Sequence, residues 1–406
     1  MISNLMLRVF LPYALGNVLG AFYRTVMAVL APDLIDELGL GAEDLGLLTS
    51  IYFLIFAAAQ LPMGVLLDRY GPRIVTTATF AIGGAGCLVF SLSHDIVLLA
   101  LGRALMGLGM SVALMGGFKA MVDWLPREKT AFGNGIILMA GGLGSMSATV
   151  PVEFALSMTD WRGVIFGLGL VTFAVAAIVL FIAPDKPRGA ESRSIAEVWR
   201  GLRQVFVSPA FIANAPLGGI TMGISMSVNN LWSGPWLRDV AGVAREDIAH
   251  VLLGNAAMMT IAAFFTGSIV ERLARAGIPI LTTACFGIAC FIALQGVVIA
   301  NPAVSPYALW LPMAFFGTTP VLIYTVLTQS FPHALAGRVN TAYNFVVFVV
   351  GFAAQWSIGA IIDLWPPVAD GRFAPEGYRT ALGVMVCFEI AAFVWLLANN
   401  RRSKEA

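Results

Sequence analysis

Pro32-Asp-Leu34-Ile-Asp36-Glu-Leu-Gly39-Leu-Gly-Ala-Glu43-Asp44 decides the fold, because it returns half a chain later as Pro235-Trp-Leu237-Arg-Asp239-Val-Ala-Gly242-Val-Ala-Arg-Glu246-Asp247. The offset is 203 residues in a chain of 406, and at the same offset Gly64, Asp68 and Arg69 recur as Gly267, Glu271 and Arg272. Soluble enzymes rarely carry such an echo. Membrane proteins built from two parallel repeats, with a pathway between them, do so routinely.

Composition points the same way. Hydrophobic residues make up 59% of the chain and charged residues 12%, where soluble domains carry roughly 25% charged residues. A soluble core cannot absorb that much apolar surface, whereas a bilayer can. The 42 glycines and 17 methionines suit helices packed closely in lipid. A net charge of +1 gives no basis for binding nucleic acid. Cys87, Cys285, Cys290 and Cys387 all fall in apolar runs, which reads as packed thiols and not as a disulfide or metal site. His94, His250 and His333 are scattered over loops and span ends, with His250 expected to be exposed or capping. No catalytic constellation, metal site or cofactor is expected, and the chain does not read as an enzyme. The first apolar run follows Arg8 and lacks a small-residue cleavage site, so no cleavable signal is expected.

Windows of about 20 residues give twelve apolar runs long enough to cross roughly 30 Å of hydrocarbon. They lie near 8–32, 44–66, 74–93, 97–124, 130–157, 162–183, 209–235, 247–270, 278–300, 305–330, 337–362 and 379–399. Only helices satisfy their own backbone across such runs, so the expected fold is an all-α membrane protein with twelve transmembrane helices in two pseudo-symmetric six-helix bundles. The bundles are 1–183 and 209–406. The linker, 184–208, carries Ile195, Val198, Trp199, Leu202 and Val205 at the spacing of an amphipathic helix on the inner surface. With the N-terminus inside, 16 Lys and Arg residues fall on the cytoplasmic side, Arg188, Arg193, Arg127, Arg401, Arg402 and Lys404 among them, against 5 outside. Both termini are therefore expected to be cytoplasmic in a bacterial-type inner membrane.

The first inner loop reads Gly64-Val-Leu-Leu-Asp68-Arg69-Tyr-Gly71-Pro72-Arg73. Gly64 suits close helix approach, Asp68 suits a helix N-terminus, Arg69 and Arg73 can pair with carboxylates, and Gly71-Pro72 forces a turn. The segment closely resembles the G-x-x-x-D-R-x-G-R-R signature of the major facilitator superfamily, with Pro72 where the family usually has a basic residue. Gly267-Ser-Ile-Val-Glu271-Arg272 resembles its weaker second copy, and Arg103-Ala-Leu-Met-Gly107-Leu-Gly109 is similar to the family's R-x-x-x-G-x-G element; Trp161-Arg162 also fits. With the twelve runs and the repeat, the resemblance covers essentially the whole chain. It implies alternating access, two bundles rocking around a central site, with Gly64, Asp68, Arg69, Arg73, Glu271 and Arg272 as gating residues.

Ionisable groups in hydrocarbon are costly and normally face a cavity or a partner. Arg24, Arg103, Lys119, Asp123, Glu153 and Glu389 qualify. Arg24, beside Tyr23, and Arg103 are candidates to bind a substrate carboxylate or phosphate, and Glu153 is the candidate proton-coupling site. The competing reading pairs Arg103 with Glu153 for packing and sends Arg24 toward the headgroups. Lys119 and Asp123, four residues apart, are expected to pair. Glu389 is expected to contact a neighbouring helix and not substrate. The second half offers amides and aromatics: Asn229, Trp232, Tyr324, Asn344 and Gln355 are its candidate substrate contacts, with Asn255 also in the lining. Pro235 and Pro320 are expected to bend their helices. Gly141-Gly142-Leu143-Gly144 lies mid-membrane and reads as a packing surface.

The expected function is secondary active transport of a small polar metabolite, an organic anion, by proton-coupled uptake. Pro151 stands too far from the glycines to match the fifth-span pattern of the family's drug exporters, which favours import. Proton-driven efflux of a drug, siderophore or metabolite is the alternative, and a non-transporting ligand receptor is the alternative of another class. The expected partners are the substrate, protons or another coupling ion, and the lipid bilayer, with the protein as a monomer.

Overall fold

The computed structural model describes residues 2–186, 195–300, 304–332, 335–368 and 372–405. Arg188, Arg193 and His333 lie outside the described residues, as do the side chains of Arg127, Ile195, Val198, Arg401, Arg402 and Lys404. Helix dominates, and one isolated bridge, Val368 to Arg372, is the extended pairing among the described residues.

α1 (Ile2–Thr25) and α2 (Met27–Leu38) meet at a bend of 43°. α3 (Ala42–Leu92) is broken at Gly71, whose φ of 86° and ψ of 162° are not helical. α4 (Ile96–Met110) runs on into α5 (Ala113–Trp124), and α6 (Arg127–Ser147) into the short α7 (Val150–Leu156). α8 (Trp161–Ile182) ends the first half, and α9 (Ile195–Phe206) lies in the linker region. α10 (Pro209–Ser227) passes through a π-helical turn, Val228–Trp232, into α11 (Ser233–Asp239). α12 (Arg245–Arg275) and α13 (Ile280–Ala300) follow. α14 (Pro306–Phe316) reaches α15 (Leu322–Gln329) through a 3-10 turn, Thr319–Val321, and α16 (Ala336–Ile362) and α17 (Pro375–Glu405) complete the chain.

Among the described residues, ten helices are long and apolar enough to cross a membrane, or eleven with α1 and α2 taken as one bent span. α3 counts once in that number, yet its 51 residues would extend about 76 Å at 1.5 Å per residue, more than twice a hydrocarbon layer of roughly 30 Å. Its break at Gly71 falls where the hydropathy separates the second and third runs. Proline accounts for the irregular turns. Pro235 lacks the N–H that would bond one turn back, and the π turn lies directly before it; Pro320 sits inside the 3-10 turn.

The repeat persists in the backbone. Gly39 and Gly242 both have φ of 63°, and Gly71 and Gly277 both have φ of 86°, a region open to glycine and strained for other residues. The offset is 203 for the first pair and 206 for the second. The second copy is therefore three residues longer between the echoed acidic residue and the turn.

Contacts divide the chain into two compact units, 1–38 with 51–195, and 39–50 with 196–406. In the first, α1 packs along α6. Gly144 admits the backbone of Val18, and Asn17 Nδ2 donates to Ile137 O at 2.7 Å, so the glycine run is a packing surface. The ends are tied by polar clamps. Glu37 accepts from Trp161 Nε1 at 2.6 Å and Arg162 Nε at 3.0 Å, which gives the Trp161-Arg162 pair its role. In the second unit Asp239 accepts from Tyr378 Oη at 2.8 Å, the Phe373 N–H at 3.2 Å and Arg238 Nε at 2.6 Å. α9 belongs to this unit and buries Leu202 and Val205 while leaving Trp199 exposed, as its amphipathic spacing requires. Among the cysteines, Cys87 is buried, Cys285 and Cys290 are half-buried, and Cys387 is exposed, so packing between helices does not describe all four.

Candidate functional site

In the first unit the site is built around Tyr52. The R-x-x-x-G spacing sets Arg103 and Gly107 one turn apart on α4. Gly107 has no Cβ, and the carbonyl of Tyr52 occupies the space that one would take. That close approach brings the fully buried Tyr52 ring beneath Arg103, whose guanidinium carbon lies 5.0 Å from the ring centroid. A cation held over an aromatic face gains about 2 kcal/mol when desolvated. Arg103 is itself buried and directs Nη1 toward Met106 Sδ at 3.8 Å.

Arg24 joins the same group. It stands in the last turn of α1, at the bend before α2, where the helix C-terminus favours positive charge. Tyr52 lies within electrostatic reach of both Arg24 and Arg103. The half-buried Arg24 thus shares Tyr52 as a neighbour with Arg103. Tyr23, next to it, is fully buried and within electrostatic reach of Arg103; its hydroxyl pairs with Thr172 Oγ1 at 2.8 Å and accepts from Cys87 Sγ at 3.0 Å. Tyr23 thereby ties α1 to α8 and α3. Glu153 is carried half-buried on α7, which packs on α6 and α8.

The second unit carries a polar cluster where α10 unwinds. Asn229, in the π turn, donates from Nδ2 to Ser225 O at 2.7 Å and accepts from Asn255 Nδ2 at 2.6 Å. Trp232 Nε1 donates to Gln355 O at 3.0 Å, and Gln355 Nε2 donates to Thr49 Oγ1 at 2.7 Å. Gln355 Oε1 and Asn255 Oδ1 are buried with no hydrogen-bond partner among the described residues. Nearby in sequence, Asp363 caps α3, accepting from the Ala42 N–H at 2.9 Å and the Glu43 N–H at 2.7 Å. Tyr324 donates to Asn344 Oδ1 at 2.9 Å and stacks edge-on against Tyr343, centroids 4.3 Å apart.

At the inner motif, Asp68 forms an ion pair with Lys119 at 2.9 Å. The expected Lys119 to Asp123 pair is therefore replaced. Helical spacing shows only neighbours on one helix, while the end of the first half of α3 supplies a carboxylate from elsewhere. Arg73 Nε donates to Leu180 O at 2.7 Å, and Arg69 lies 5.2 Å from the Tyr70 ring centroid. A Cβ on Gly64 would meet open space, so the close approach expected there is not made. Glu271 pairs with Arg275 on its own helix at 3.5 Å, both exposed, and Arg272 stands in the last turn of α12. His250 is exposed, with Nδ1 2.8 Å from Glu246 O. Glu389 contacts a neighbouring helix, as its isolation suggested: Gln295 Nε2 donates to it at 2.6 Å.

Tyr52, Thr49 and Asp363 were not singled out by the sequence. The one available signal was Gly107, which announces a close neighbour without saying which.

A family model described as Major Facilitator Superfamily matches residues 13–355. The chain is 26% identical over 164 residues to the probable sulfoacetate transporter SauU of Cupriavidus necator, covering 40% of this chain and 38% of that protein. It is 25% identical over 172 residues to the hexuronate transporter of Escherichia coli K12, covering 42% and 40%. The matched stretches thus span about two fifths of these relatives' own lengths. Among solved structures, a bacterial homolog of the human lysosomal transporter Spinster, inward-facing and unoccupied, superposes with a TM-score of 0.79 at 19% identity, covering 97% of this chain and 96% of that one. The chain belongs to the major facilitator superfamily, a family of multi-pass membrane transporters and not of enzymes.

Proposed function

We propose that this transporter carries a small organic anion inward, driven by protons, with Arg24 and Arg103 recognising the anionic group. The observation that carries the reading is the pair of guanidinium groups within reach of one tyrosine. Like charges repel across a poorly solvated site, and an anion bound there relieves that repulsion while accepting charge-assisted hydrogen bonds. Arg103, stacked on Tyr52 and buried, is the fixed member. Arg24, half-buried at a helix bend, is the member a ligand reaches.

The matched relatives are named for sulfoacetate and hexuronate, both organic anions, which agrees with this class. Glu153 is the proposed proton carrier. Asp68, with Gly64, Arg69, Arg73, Glu271 and Arg272, belongs to the proposed inner gating elements, and the proposal has the protein in an inner membrane with both termini cytoplasmic.

The test is binding and exchange by purified protein. Hexuronate and sulfoacetate are compared with an uncharged polyol of similar size, by thermal shift and then by counterflow in proteoliposomes. Losing hydrogen bonds to one charged group costs about 1.5–3 kcal/mol, so Arg24→Gln weakens anion binding about 10- to 100-fold. Equal affinity for the polyol, or an Arg24→Gln variant that still binds the anion as the native protein does, overturns the reading.

A further inference from the structure

Glu389 lies at the centre of α17 and is fully buried. It packs in a seam of three helices. Leu217 of α10, Ile288 of α13 and Leu396 of α17 form the apolar part. One turn from Leu217 stands Thr221, two turns from Ile288 stands Gln295, and two turns from Leu396 stands Glu389. The three polar side chains therefore share one level, each at most 3% exposed.

Their hydrogen bonds do not close. Gln295 Nε2 donates to Glu389 Oε2 at 2.6 Å, and Thr221 lies against the same carboxyl. Glu389 Oε1, Gln295 Oε1 and Thr221 Oγ1 are all buried with no partner among the described residues. The carboxyl and amide oxygens are acceptors alone, whereas the threonine hydroxyl can also donate, and buried acceptors without donors are costly. No Lys or Arg pairs with Glu389 among the described residues. The other titratable groups on the elements packed on α17 are Cys285 and Cys290, both half-buried on α13, and Tyr343 and Arg338 on α16. The Tyr343 hydroxyl is engaged with Pro320 O at 3.3 Å, and Arg338, in the first turn of α16, lies against Gly201 of α9.

We propose that Glu389, Gln295 and Thr221 form a proton-binding site that holds Glu389 as the neutral acid within the membrane. One proton on Oε1 removes the charge and turns an orphan acceptor into the donor that Gln295 Oε1 lacks. With Gln295 this completes a two-bond acid–amide pair. A bound metal cation fits less well: hard cations take six or more oxygens, and three unpartnered ones are present among the described residues. The proton site stands on α10, α13 and α17, apart from Arg24 and Arg103, and does not depend on the identity of the transported anion. Removing the proton leaves a carboxylate in the seam and loosens it, which sets an alkaline limit on stability.

The experiment uses the intact protein in detergent. Dicyclohexylcarbodiimide, which modifies protonated carboxyls in apolar surroundings, is applied across pH 6 to 10 and the labelled peptide located by mass spectrometry. The thermal midpoint of native protein and Glu389→Gln is followed over the same range. The expected result is labelling at Glu389 that falls as pH rises, with an alkaline drop in midpoint of several degrees that Glu389→Gln lacks. Absence of label at Glu389, pH-independent labelling, or parallel midpoint profiles for the two proteins overturns the proposal. Protection from label by sodium at constant pH overturns it in favour of a cation site.

Discussion

Replacing Asp68 by Asn removes half of an ion pair that bridges two helices of the first unit. The pair is a single 2.9 Å contact, with side chains 32% exposed at Lys119 and 46% at Asp68. Pairs this open contribute about 0.2–1 kcal/mol, and at this solvent exposure the low end applies, about 0.5 kcal/mol. The thermal midpoint should therefore move by about 1 °C, and expression should be unchanged. If Asp68 acts in transport only through Lys119, losing at most 1 kcal/mol changes a rate by no more than about fivefold. The double exchange Asp68→Lys with Lys119→Asp would then restore it. If Asp68 also serves a helix N-terminus during the cycle, as the family signature implies, uptake falls more than tenfold and the exchange does not rescue. We expect the second result, measured as initial uptake of a labelled hexuronate into proteoliposomes with reconstituted protein quantified. Uptake within fivefold of the native rate, or full rescue by the exchange, refutes the gating role.

Three further outcomes follow from the geometry. Gly107→Val forces side-chain carbon into the carbonyl of Tyr52, so stability should fall by about 1–3 kcal/mol and anion affinity should fall with it, as read by thermal shift; unchanged behaviour would show that the Tyr52 stack is not held by this approach. Asp363→Ala removes both acceptors that cap α3 and should cost about 0.5–2 kcal/mol, lowering the thermal midpoint by a few degrees; Asp363→Glu, which keeps the carboxylate on a side chain longer by one methylene, should lose only part of that. Glu153→Gln should retain anion counterflow and lose accumulation driven by an imposed pH gradient, and accumulation at the native level would remove Glu153 from the coupling role.

Much of the fold could be read in advance because hydropathy and the repeat report on the bilayer, which acts on every residue of a span alike. What could not be read is which groups meet across helices. Lys119 and Asp123 satisfy the helical spacing rule, yet Lys119 chose Asp68, 51 residues away. Glu389 was correctly expected to touch a neighbouring helix, but neither Gln295 nor the set of unpartnered oxygens around it has a sequence pattern. Arg24 and Arg103 were visible as costly charges; Tyr52, which links them, looks like any apolar-span aromatic. Gly64 shows the converse, since a motif residue with an evident steric purpose meets open space here.

The three residues that widen the repeat from 203 to 206 make the two inner loops unequal levers. Asp68 is three residues from its turn at Gly71, about 4.5 Å along a helix, whereas Glu271 is six residues from Gly277, about 9 Å. Asp68 therefore sits within one turn of its loop and pairs with another helix, while Glu271 sits nearly two turns back and, among the described residues, pairs along its own helix with Arg275. A load on the first loop would be shared with the helix that carries Lys119, whereas the pair near the second loop lies within α12. The two copies of the motif therefore differ in their ties, the first joined across helices and the second along one.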